Sequence, residues 1–124
     1  MLKELHPVLP AANLERARAF YHDKLELDPT EEHEGILMYT SSGSGFEIYE
    51  TENAGTAKNT QMNWMTDDLE AEMKQLSEHG VVFEDYDIPG LKTVDGVATM
   101  GDSKSAWFRD TEGNFLCITQ MMRP

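Results

Sequence analysis

A chain of 124 residues with 10 Lys and Arg against 23 Asp and Glu carries a net charge of −13, enough sequence for one compact domain and a charge that repels nucleic-acid phosphates and anionic lipid. No apolar run reaches the roughly 18 residues of a membrane-spanning helix, and residues 1–7 lack the basic-then-apolar pattern of a secretory leader. Cys117 is the single cysteine, so no internal disulfide can form, and a reducing cytoplasm is the expected compartment.

Residues 5–10 read as a strand, at an edge or irregular because Pro7 and Pro10 donate no backbone hydrogen bond. Asn13 is a good N-cap, and Leu14, Ala17, Phe20 or Tyr21, and Leu25 recur at helical spacing. The Asp28-Pro29-Thr30 break ends that helix near residues 23–25. Residues 36–39 and 46–50 read as strands joined by the Ser/Gly turn at 41–45, and the polar stretch 51–59 reads as a linker.

The order then repeats. Residues 61–65 are strand-like, and Asp67 with Glu70 makes a capping-box pattern for a second helix. Leu69, Met73 and Leu76 line one face of that helix, and Gly80 closes it in the left-handed conformation. A short strand is expected at 81–83, turn chemistry inside a longer loop at 84–96, and strands at 97–100, 105–108 and 114–121. The last two are joined by a hairpin turn at 110–114.

The repeat is the strongest signal in the chain. His6 to Glu15 runs in register with Gln61 to Glu70, each copy passing from a polar side chain through an extended run into Asn/Asp-Leu-Glu. A repeated strand-to-helix unit in so short a chain implies two pseudo-symmetric halves with a pocket between them. Their boundaries fall at about 1–52 and 60–124, and the longer second half places its additional residues in the 84–96 loop.

Strand alternation sorts the polar residues. With Phe46 and Ile48 under the first helix, Glu47 and Tyr49 turn away; with Met62 and Trp64 under the second, Gln61, Asn63 and Met65 turn away. Leu116 and Ile118 likewise oppose Phe115, Cys117 and Thr119. The expected ligand pocket is therefore His6, Glu47, Tyr49, Gln61, Asn63, Phe115, Cys117 and Thr119, half polar with aromatic walls. His22, His33 and His79 show no ligand spacing, and Glu31-Glu32 and Glu84-Asp85-Asp87 read as solvated charge. No phosphate loop, CxxC pair, HExxH or nucleophile elbow is present.

Four segments spanning nearly the whole chain give it a family resemblance: the run from Asn13 to Tyr21 with Leu25-Glu26-Leu27, then Phe46 to Glu50, Thr66 to Glu70, and Trp107 to Asn114. Through them the chain resembles the vicinal oxygen chelate superfamily, the group of glyoxalase I, ring-cleaving dioxygenases, and the fosfomycin and bleomycin resistance proteins. The resemblance implies an α+β fold of two βαβββ modules forming a cupped mixed sheet, in a homodimer. It places the family's metal-ligand positions on His6, Glu47, Gln61 and Cys117. Cys117 departs from the pattern, since the metalloenzymes usually have Glu there, and a buried thiol cannot shuttle protons as a carboxylate does. Glu26 departs where a helix-ending Gly is common.

The resulting expectation is a small-molecule-binding protein without metal catalysis, its ligand cationic in part to suit the acidic charge. The alternative is a divalent-metal-dependent lyase or isomerase with His6, Glu47 and Gln61 as ligands. A third is an interaction protein that retains the fold alone.

Overall fold

The structure, a computed structural model, describes residues 1–41 and 43–122; Ser42, in the expected 41–45 turn, lies outside the described residues. The chain divides into two compact units, Met1–Lys58 with Asp110–Asn114, and Asn59–Arg109 with Phe115–Pro124. No helix among the described residues is long and apolar enough to cross a membrane.

The first unit holds β1 (Val8–Ala11), α1 (Leu14–Leu25), β2 (Glu31–His33), β3 (Ile36–Ser41) and β4 (Ser44–Glu50). They form a mixed sheet in the order β1-β4-β3-β2, with β1 parallel to β4 and the other pairs antiparallel. Asn13 is extended and its side chain accepts from Arg16 N–H at 2.9 Å, which opens α1 as its sequence demands. Ala17, Phe20 and Tyr21 are buried, on the side of the sheet where Leu9, Leu37, Tyr39, Phe46 and Ile48 are also buried. Tyr39 and Phe46 stack with ring centroids 4.7 Å apart.

Three sequence expectations shift here. The first strand starts at Val8 rather than residue 5, although the Pro7 carbonyl still accepts from Glu47 N–H at 3.0 Å. Lacking an N–H, Pro7 cannot answer that bond, and the ladder stops. β2 was not expected, because its residues are all exposed and show no apolar alternation; pairing with β3 imposes it. The helix ends with Glu26 itself in the left-handed region at φ 57°, while Leu27 N–H reaches the Tyr21 carbonyl at 2.9 Å. The chain thus makes a glycine-type cap with a residue bearing a Cβ.

The 110–114 segment is more than a hairpin turn. Asp110, Glu112 and Asn114 are all buried. Asp110 accepts from the Tyr21 hydroxyl at 2.8 Å, from the Asn114 side-chain amide at 2.8 Å, and from two backbone N–H groups at 2.9 Å. Glu112 accepts from the Ala12 and Asn13 N–H groups at 2.9 and 3.0 Å and from Arg16 through a two-pronged pair at 2.8 and 3.0 Å. A carboxylate thereby meets the start of α1, where the helix dipole favours negative charge. Gly113, at φ 85°, lies so near Gly55 that a Cβ would come within 3.1 Å of its Cα.

The second unit holds β5 (Thr60–Met65), α2 (Leu69–Glu78), β6 (Asp87–Ile88), β7 (Leu91–Lys92), β8 (Ala98–Met100), β9 (Ser103–Arg109) and β10 (Phe115–Met121). Its main sheet runs β5-β10-β9-β8, with β5 parallel to β10, and β6 and β7 pair by themselves. The cap of α2 is Asp68, accepting from Ala71 N–H at 3.1 Å, and not the expected Asp67. Its register with Asn13 of the first copy was the better guide. Gly80, at φ 94°, closes α2 as expected, with Val81 N–H on the Leu76 carbonyl and Gly80 N–H on that of Ser77, both at 3.0 Å. Residues 81–83 form no strand; Phe83 makes only an isolated bridge to Phe108. The 84–96 loop contains the β6–β7 hairpin.

Candidate functional site

Each sheet has one face buried in its own unit, and the expected site residues alternate away from it. In β4, Phe46 and Ile48 are 3% and 0% exposed, while Glu47 is half-buried and Tyr49 is exposed. Glu47 stands between Val8 of β1 and Met38 of β3, and Tyr49 between Pro10 and Ile36. His6 lies outside β1, yet its Nδ1 meets Glu47 Oε2 at 2.9 Å, and its Nε2 meets Glu4 Oε2 at 2.8 Å. Carboxylates only accept, so both contacts are satisfied together only by the doubly protonated imidazolium. The hydrogen bond to Glu47, then that to Glu4, accordingly raises the His6 pKa above its ordinary 6.5.

His6 also lines a groove of about 440 Å³ with Glu4, Thr30, Glu31, Tyr39 and Phe46, among others, and no Lys or Arg stands among its described lining residues. Glu4 was not among the expected site residues. It lies in an exposed, non-periodic N-terminal stretch, and only its contact with His6 singles it out.

In the second unit Asn63, Phe115, Cys117 and Thr119 share a face as alternation predicts, since Cys117 pairs with Asn63 and Trp107, and Thr119 with Ser105, whereas Phe115 pairs with Thr60 and not with the expected Gln61. They form a polar ladder: Thr119 Oγ1 lies 3.0 Å from Asn63 Oδ1, 2.8 Å from Ser105 Oγ and 3.6 Å from Cys117 Sγ. The sheet register slips between Phe115 and Leu116, and the Gln61 amide oxygen accepts the Phe115 N–H at 2.9 Å. The Phe115 ring carries the Arg109 guanidinium 5.4 Å from its centroid.

Cys117 is 4% exposed and clusters with Ala98 and Trp107, against which Tyr86 and Leu91 pack. Tyr86 meets Trp107 edge to face at 5.9 Å and donates its hydroxyl to Glu84 at 2.9 Å; Glu84 in turn pairs with Arg109 at 3.2 Å. Burial, then the bond to Glu84, pushes the Tyr86 hydroxyl up to about 12. Sequence reasoning assigned Glu84 to solvated charge and did not single out Tyr86 or Trp107. Only folding of the 84–96 loop onto the sheet brings them there.

The residues do not suit a divalent metal. Both His6 nitrogens are engaged by carboxylates, and the Gln61 oxygen is spent on a backbone donor. Burial raises the pKa of the Cys117 thiol above its ordinary 9.0. Among the described residues no three His, Cys, Asp or Glu side chains gather as a metal ion requires. The arrangement is suited instead to hydrogen bonding and charge pairing with an organic molecule.

Comparison with known proteins places this geometry in context. A family model described as the glyoxalase/bleomycin resistance protein/dioxygenase superfamily matches residues 5–118. No curated protein matches the chain. A glyoxalase family protein from Bacillus anthracis superposes with a TM-score of 0.75 at 16% identity, over 98% of this chain and 96% of that one. A bleomycin-binding protein in complex with bleomycin superposes at 0.73 with 18% identity, over 96% and 98%. A fosfomycin resistance protein from Listeria monocytogenes, solved with Mn(II), superposes at 0.66 with 14% identity, over 100% and 93%. At these identities the likeness is one of fold.

Proposed function

From the premise that the chain belongs to the glyoxalase/bleomycin resistance protein/dioxygenase superfamily, we propose that it binds a small, partly cationic organic ligand without metal catalysis. The observation that carries this reading is the acidic groove beside His6. Glu4 and Glu31 line it together with His6, which pairs with Glu4 and with Glu47 behind it, and no Lys or Arg stands among its described lining residues. A cation entering there meets the Glu4 carboxylate, held by His6, and the Glu31 carboxylate beside it. The bleomycin-binding neighbour supports a binding rather than catalytic role, as does a donor set unsuited to metal. On the same reading we propose Tyr49, outside the groove's own lining, as a further ligand-facing side chain of the first unit and, separately, Gln61, Asn63, Phe115, Cys117 and Thr119 as ligand-facing side chains of the second. The protein would act as a cytoplasmic homodimer.

The test is thermal unfolding with a panel of cationic aromatic compounds and their neutral isosteres, on the wild type and Glu47→Ala. A cationic binder at a hundredfold excess over its Kd should raise Tm by on the order of 10 °C, and its neutral isostere by far less. Glu47→Ala should abolish most of that rise. Purified protein holding stoichiometric metal that disappears in Glu47→Ala would overturn the proposal in favour of metal-dependent chemistry.

A further inference from the structure

Residues 84–96 form a hairpin laid over one face of the β5-β10-β9-β8 sheet, and its attachment is uneven. The neck is tied by hydrogen bonds. Asp85 Oδ1 accepts from Thr93 Oγ1 at 2.9 Å and from Gly96 N–H at 2.8 Å, and Tyr86 and Thr93 exchange two bonds of 2.8 Å. Beyond the neck, β6 and β7 share only two residue pairs, and Ile88 at the tip is 56% exposed. What presses the hairpin onto the sheet is Tyr86 at the neck and Leu91 beyond it, packed against Ala98, Trp107 and Cys117. These neck bonds join the hairpin's two arms to each other; beyond the Glu84 N–H bond to the Trp107 carbonyl at 2.8 Å, two half-buried side chains hold the hairpin down, and such a unit opens at far lower cost than the whole fold.

The surface beneath has the makings of a binding site: the Trp107 indole, the small side chains of Ala98 and Cys117, and the Asn63–Thr119–Ser105 ladder at its border. We propose that the β6–β7 hairpin is a displaceable cover, and that Tyr86 holds a place on Trp107 into which a neutral or cationic aromatic ligand fits when the cover lifts. The Tyr86 hydroxyl is satisfied by Glu84, so a ring carrying a hydrogen-bond donor reproduces its contacts, while a plain hydrocarbon leaves the Glu84 carboxylate without that partner. Such a ligand binds with its intrinsic affinity reduced by the fraction of molecules that are open. This identity of the occupant rests on the ligand-binding reading above; the movement of the cover does not.

Cys117, the chain's only thiol and buried under the hairpin, reports the movement without any ligand. Modification by N-ethylmaleimide, followed by intact mass, should proceed in native buffer faster than global unfolding allows, and change little with low urea. Leu91→Ala should speed it at least about tenfold. Tyr86→Phe, which keeps the ring and loses only the bond to Glu84, should speed it by a smaller factor. Val81→Ala, a core change at the end of α2, should lower Tm while leaving the rate in native buffer unchanged. Labelling that tracks the global unfolding curve in urea, with Leu91→Ala acting only through its loss of Tm, would overturn the cover. The occupant is tested with 2-naphthol, a neutral fluorescent aromatic that carries a hydroxyl donor: tighter binding to Leu91→Ala than to wild type supports it, and equal binding overturns that part alone. Failure of the groove ligand panel with rapid native labelling would sink the proposed function and leave the cover standing.

Discussion

Replacing Glu112 by Gln should remove a pH-dependent part of the stability while leaving the shape of the 110–114 segment in place. Burial by itself would raise this carboxyl, but Arg16, the Asn13 N–H and the Thr111 hydroxyl together hold it at about 2 rather than its ordinary 4.5. Its side chain is wholly buried, so the charge cannot be satisfied by water instead. A depression of that size corresponds to about 3 kcal/mol at neutral pH. The Arg16 side chain is 52% exposed, and solvent screening of its charge brings the expected value nearer 2 kcal/mol. Because the folded-state value is depressed, the contribution is fully present above about 4.5 and disappears as pH falls towards 2. Gln keeps an oxygen for the Ala12 and Asn13 donors and gives up the charge. Urea unfolding of wild type and Glu112→Gln at pH 7 and at pH 2.5 measures the difference. The gap should be about 2 kcal/mol at pH 7 and shrink most of the way to zero at pH 2.5. An equal gap at both values would mean that shape, not charge, sets the effect, and would refute the reasoning.

Two further outcomes follow from the helix ends. Glu26→Gly relieves a side chain held at φ 57° and should raise stability by about 0.5–1 kcal/mol, read as an increase in the urea midpoint without a change in slope. Asp68→Ala should cost about 1 kcal/mol and Asp67→Ala only a few tenths, since Asp68 alone of the two bonds an orphan N–H of α2; equal costs would contradict the assigned cap.

What the sequence determined by itself is what depends on local periodicity. The two-residue period of β4 and β10 was enough to sort Phe46 and Ile48 from Glu47 and Tyr49, and Leu116 and Ile118 from Cys117 and Thr119, because a strand admits no other alternation. The repeat located both helix starts, and at Asp68 it outperformed the local capping signal, because two overlapping acidic candidates look alike until backbone geometry selects one. The family was legible as a resemblance carried by four segments between Asn13 and Asn114, and the family model matches residues 5–118. Tertiary structure decided which polar groups are spent internally. Gln61 satisfies a donor exposed by a register slip, and Glu112 neutralises the start of a helix 96 positions away from it at Arg16. The loop residues Tyr86 and Leu91 cover Cys117 although nothing in their own periodicity points to it. Such pairings join residues remote along the chain, and a carboxylate or amide bears no local mark of the partner that folding will bring to it. The sequence therefore sorted these residues by strand face, and only the fold determined which of their polar groups are spent on internal partners.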